Sequence, residues 1–155
     1  MFKSQYGLTV TVVLAVVMGL MMSFVAIWID SLALNISVVF KNWSMITLVI
    51  LLVSMFVPYQ KWGAGFASLF HLKEGSTAFK MTANLVPTLI LNTFIAVIVP
   101  AANILYNEAV PAQMQLSVLW ASVVRDWPLM LVISYFVSFV AEAAGKAVAS
   151  RYVEA

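Results

Sequence analysis

Cysteine is absent from the 155 residues, and histidine occurs once. These absences exclude disulfides, zinc–thiolate sites, iron–sulfur clusters, cysteine nucleophiles and any site needing two imidazoles from one chain. Charge is scarce, with Asp, Glu, Lys and Arg at 9% of the chain against roughly a quarter in soluble domains. No Gly-rich phosphate cradle, nucleophile elbow, His-Glu-x-x-His motif or paired-carboxylate site occurs. Gly63-Ala64-Gly65 lacks both a strand-to-helix context and a Lys-Ser/Thr pair. The six acidic residues are scattered, so neither an enzyme nor a bound cofactor or metal is expected.

What is present is apolar. The chain is 64% hydrophobic with a mean hydropathy of +1.04. That excess cannot be hidden inside one small globule, and the abundance of aromatic and branched residues excludes disorder. Spanning a bilayer takes about 20 mostly apolar residues per helix. Four stretches qualify: residues 8–29, 44–66, 84–105 and 128–149. Helices are expected because lipid offers no partner to an open strand edge, and the ten-residue alternation of a β-barrel is missing. The first run is too long for a signal-peptide core and no small-x-small site follows it, so it is expected to be retained. The fold class is therefore all-α, a membrane protein of four transmembrane helices.

Basic residues set the expected orientation. Lys3, Lys61, Lys73, Lys80, Lys146 and Arg151 fall on one side, and only Lys41 and Arg125 on the other. By the positive-inside rule both termini and the central connection lie in the cytoplasm. Trp28, Trp43 and Trp127 would anchor the outer boundary and Trp62 the inner one. Topology thus accounts for the net charge of +2, and nucleic-acid binding is not implied.

The halves resemble one another. Lys41-Asn42-Trp43 and Arg125-Asp126-Trp127 introduce the second and fourth spans, a shift of 84 that also places Val53-Ser54 on Val137-Ser138. Met22-Ser23-Phe24-Val25 resembles Asn92-Thr93-Phe94-Ile95 at a shift of 70. Two two-helix repeats are expected, residues 1–66 and 82–155, joined by a cytoplasmic linker, 67–81. An even number of spans per unit makes the repeats parallel, related by an axis along the membrane normal. The outer connections, 31–42 and 112–126, mix apolar and polar residues and should carry short interfacial helices, acting as a float or as a lid.

In this order the motifs resemble an uncharacterised bacterial family of two-helix inner-membrane proteins, domain-of-unknown-function family 2798. Met22-Ser23 is similar to the family's Met-Ser pair, and Pro58 to a proline in its second helix. Leu119-Trp120, Arg125 and Trp127-Pro128 look like its tryptophan-rich approach to that helix. Asn92-Thr93 and Glu142 depart from the pattern in the second unit. The resemblance implies a tandem pair in the bacterial inner membrane and carries no known activity.

Polar groups inside hydrocarbon are costly unless paired. Asn84, Thr88 and Asn92 advance by roughly 40° per step along a helix, and Asn103 returns to within roughly 20° of Asn92. With Thr93 they form a polar stripe, interrupted by Pro87 and Pro100, which free the carbonyls of Ala83 and Ala96. The stripe is either the wall of a pathway for a weakly hydrated cation or small polar solute, or interhelical glue. Asp30, Arg125 and Asp126 are candidate ion-pair partners at the outer boundary, and Glu142 with Lys146 at the inner one. Gly63-Ala64-Gly65 and Gly145 would let the second and fourth spans close tightly. Met18, Met21 and Met22 share a face, which could hold copper(I) or fill gaps in packing. Two functions follow: a channel or transporter subunit for an ion or small polar solute, or a non-transport accessory, assembly or lipid-interacting protein. A pathway would need further copies of the chain, since four helices leave little room for a pore.

Overall fold

The computed structural model describes residues 4–29, 35–105 and 110–153. Those residues form five helices: α1 (Gln5–Ile29), α2 (Ile36–Phe56), α3 (Tyr59–Leu69), α4 (Thr77–Leu105) and α5 (Ala112–Tyr152). Four of them, all but α3, are long and apolar enough to cross a membrane. In α1 a run such as Val10-Thr11-Val12-Val13 would favour a strand in water. In lipid the backbone must satisfy itself within one segment, and the helix results. Leu8, Leu20, Phe24, Leu52, Leu89 and Phe136 stand exposed on the outside of the bundle, where a bilayer would cover them.

Short connections stack the long helices up-down-up-down. The Trp43 indole donates to the Val16 carbonyl at 3.0 Å, and Thr47 Oγ1 to that of Ala15 at 3.4 Å, so α2 runs antiparallel to α1. Asn84 meets Ser138 while Asn92 meets Trp127, so α5 runs antiparallel to α4. The ring closes through α1 against α5 and α2 against α4, and α3 lies on α4. Met18, Met22, Ile46, Ile50 and Ile95 fill its centre, each at most 1% exposed.

Three boundaries differ from the sequence reading. The stretch 44–66 is two helices. Pro58 lacks the N–H that would continue α2, and Val57 before it is extended at φ −107°, ψ 119°. Tyr59 OH and Ser54 Oγ, 2.6 Å apart, tie the two sides of the break together. No separate interfacial helix occupies either outer connection among the described residues. Asn35 caps α2, its side chain accepting from the Ser37 N–H at 2.8 Å, so most of 31–42 is the first part of that helix. Residues 112–126 are the first part of α5, which runs unbroken through Pro128 for 41 residues. At 1.5 Å per residue that is about 60 Å, twice the hydrocarbon thickness. The helix-free part of the central connection is only 70–76. His71 there adopts φ +54°, the left-handed geometry that ends helices.

The close approaches also fall elsewhere than expected. Gly63 presses on the Ala83 carbonyl of α4, and a Cβ at Gly145 would sit 2.7 Å from the Val10 carbonyl of α1. Each glycine therefore seats its helix on a different neighbour, and α3 and α5 do not close on one another. Lipid gives no hydrophobic drive between helices, so such backbone proximity carries much of the cohesion.

Replacing Gly63 by Val should overpack the α3–α4 contact and cost about 1–3 kcal/mol, read by denaturant titration in mixed micelles. Gly65→Ala, where the added methyl meets open space, should be neutral or stabilising.

Candidate functional site

Where α2 stops and α3 turns onto α4, the bundle cannot close, and a cavity of about 580 Å³ opens between all four spans. It lies at the end of the bundle that holds Lys61, Lys80 and Lys146. Val10, Leu14, Met18, Val57 and Leu91 form its apolar wall. Thr11, Ser54, Tyr59, Asn84, Thr88 and Ser138 supply its polar groups.

Most of these polar groups are already paired. Asn84 Nδ2 donates to Ser138 Oγ at 2.6 Å, and Ser138 Oγ donates in turn to the Tyr135 carbonyl at 2.7 Å. Ser54 and Tyr59 share their bond across the helix break. Thr11 Oγ1 donates to the Gly7 carbonyl at 3.0 Å. Thr88 is the exception. It is 2% exposed, and its Oγ1, shut off from bulk water, has no hydrogen-bond partner among the described residues. Leaving such a group unsatisfied costs about 1–3 kcal/mol.

The stripe expected on α4 divides among three environments. Asn84 and Thr88 line the cavity. Asn92 lies beyond it in the packed interior, donating to the Trp127 carbonyl at 3.3 Å and accepting from Ser134 Oγ at 3.5 Å. Thr93 faces outward, donating to the Leu89 carbonyl at 2.7 Å and accepting from the Trp127 indole at 3.2 Å. Asn103 is half-buried and does not line the cavity. Gly63 packs directly on the Ala83 carbonyl that Pro87 frees. No continuous polar wall results, and the Met18–Met22–Ile50–Ile95 layer closes the inner end.

Two of the expected ion pairs form, at opposite ends of the bundle. Arg125 Nε lies 2.6 Å from Asp126 Oδ1, and Asp126 also accepts from Ser122 Oγ at 3.2 Å. Lys146 Nζ lies 2.5 Å from Glu142 at the cavity mouth. Asp30 lies outside the described residues. Met18 and Met22 are core packing, both fully buried.

Sequence reasoning missed Thr11, Ser54, Tyr59, Ser138, Lys61 and Lys80 as cavity residues. A signal existed for two of them: the shift of 84 places Ser54 on Ser138, and they face one cavity from different helices. Comparison with known proteins gave no matching family model, no curated relative and no similar solved structure.

Because the chain has no native cysteine, single cysteines can map this boundary. Asn84→Cys and Ser138→Cys should react with a membrane-impermeant thiol reagent roughly tenfold or more faster than Asn92→Cys and Thr93→Cys, since only a hydrated thiol ionises. Equal rates along α4 would mean that the cavity is not hydrated.

Proposed function

We propose that the chain is a transporter or channel subunit of a bacterial inner membrane, taking a small solute or ion into the cavity from the cytoplasmic side. The observation that carries this reading is the polar-lined cavity between the four spans, in whose wall the Thr88 hydroxyl is buried without a partner among the described residues. Interhelical glue would have been paired. The basic mouth favours the cytoplasmic face for this end and for both termini. Discontinuous helices such as α2–α3 are a recurrent way of building midplane solute sites. The closed apolar layer means that passage requires either a conformational change or further copies of the chain.

The proposed tandem origin has support in burial. At the shift of 70, Met18 and Met22 correspond to Thr88 and Asn92, all at most 2% exposed. At the shift of 84, Ile46, Ile50 and Val53 correspond to Met130, Ser134 and Val137, all at most 8% exposed. Trp43 and Trp127 each send the indole N–H to the first helix of their own unit. Gly63 and Gly145 each seat the second helix of one unit on the first helix of the other.

A second reading, an accessory or assembly protein, draws on the fully bonded Asn92–Trp127–Ser134 region and on exposed Leu116, Trp120 and Val124 along the long α5. Flux separates the two. Reconstituted protein should give protein-dependent flux of a common ion or small organic solute into liposomes. Thr88→Val should reduce that flux about tenfold, the worth of one hydrogen bond to a ligand, with helicity unchanged. An absence of flux across a panel of inorganic ions and small organic acids, amines and neutral solutes would leave the accessory reading.

A further inference from the structure

We propose that the cavity binds a small amphipathic monoanion, a carboxylate-type head on a short apolar body, and discriminates against cations of the same shape. This rests on the reading of the cavity as a solute site and names the solute's chemistry.

The charge balance at the mouth points this way. Lys61, Lys80, Lys146 and Glu142 are the charged residues that line the cavity. Lys146 and Glu142 neutralise one another at 2.5 Å. Lys61 and Lys80 make no ion pair among the described residues. Two ammonium groups from different helices therefore remain uncommitted at one opening. Each can rotate its head toward a ligand on a flexible stem.

The helix break adds to this field. Pro58, Tyr59 and Gln60 line the cavity, so the 11-residue α3 starts on its wall, and no side chain caps that start. A helix N-terminus carries partial positive charge and unsatisfied donors, and favours an anion. Deeper in, the Thr88 hydroxyl is buried in the cavity wall without a partner among the described residues. The two uncommitted lysines and the start of α3 thus give the mouth an excess of positive charge.

The body of the ligand is set by the rest of the wall. Leu14, Met18 and Leu91 are apolar and lie on the Thr88 side of the chamber. A volume of about 580 Å³ falls within the range of small-molecule sites, roughly 300–1,000 Å³. An inorganic anion would leave that wall in contact with water, and a short alkyl chain would cover it.

The test is equilibrium binding to the whole protein in nanodiscs of zwitterionic phosphatidylcholine, with hexanoate, hexylammonium and hexanol as ligands matched in body. Hexanoate should bind at least about tenfold tighter than hexylammonium. Lys61→Gln with Lys80→Gln should abolish that preference, and Thr88→Val should weaken hexanoate severalfold. Lys73→Gln, which removes an exposed charge from the central connection outside the cavity, should change neither. Lys61 and Lys80 are exposed, so the double variant should fold, which circular dichroism checks. Repeating the titration with phosphatidylglycerol in the disc identifies the source of the head. Competition points to a lipid headgroup, undiminished binding to a free solute, and both keep the anion site. Equal binding of hexanoate and hexylammonium, or a double variant that binds hexanoate as the parent does, overturns the proposal. Anion-selective binding without flux would remove the transport reading and leave this one. Flux of a cation without hexanoate preference would do the reverse.

Discussion

In hydrocarbon, a polar group that finds no partner within the fold has no solvent to fall back on. That constraint governs every irregular feature of this chain. Ser44, Ser54, Thr93 and Ser134 each return a hydroxyl to a carbonyl of the preceding turn. Asn84 and Asn92 reach across to α5, and Trp43 across to α1. Against this pairing the Thr88 hydroxyl stands out among the described residues, and it is buried in the wall of the chamber where α3 begins without a side-chain cap, as α5 also does at the other end of the bundle.

The long apolar segments were legible because their signal is solvent-scale. A run of 20 or more uncharged residues has few alternatives to a helix of spanning length. Boundaries were not legible, and the prolines show why. Pro58, Pro87 and Pro100 each follow a valine, yet only Pro58 ends a helix. Local chemistry is the same at all three. What differs is tertiary: beyond Pro58, Gly63 allows α3 to lie against α4, and Tyr59 reaches back to Ser54. Beyond Pro87 and Pro100, α4 continues between α2 and α5 and has no alternative surface to join. Likewise the polar–apolar mixture of 112–126 suggested a float lying in the interface, whereas these residues continue α5, with Ala112, Gln115, Leu116 and Leu119 beside the end of α4.

The polar stripe shows a second limit. Helical periodicity set Asn84, Thr88 and Asn92 along one face of α4 but could not say that the expected stripe passes through three surroundings. Asn84 and Thr88 meet a gap because α2 has ended beside them, Asn92 meets Ser134 because α5 is close, and Thr93 lies just over the edge beside Trp127. Those outcomes depend on neighbours supplied by other helices. Of the cavity's remaining polar residues only Ser54 and Ser138 were visible, through their internal correspondence, which is a statement about two places in the sequence at once.

Under the proposed tandem origin, that correspondence would also explain how a chamber with one chemical character can arise in so small a chain. A symmetric pair of identical two-helix units would present each interior residue twice. A threonine or asparagine at the Met18 or Met22 level would then appear on both sides of the axis, and both copies would need partners in a narrow core. Covalent joining of the units removes this coupling. One copy keeps Met18, Met22 and Ile50 as packing, while the other carries Thr88, Asn92 and Ser134 at the matching levels. The apolar copy supplies the volume and the wall, and the polar copy supplies the hydrogen bonds. Asn92 donates to the Trp127 carbonyl, and Ser134 shares its one hydrogen between the Leu131 carbonyl and Asn92 Oδ1, which holds α4 to α5 just beyond the chamber. Thr88, one turn nearer the break in α2, lies in the wall of the space that opens where α2 ends, its hydroxyl without a partner among the described residues.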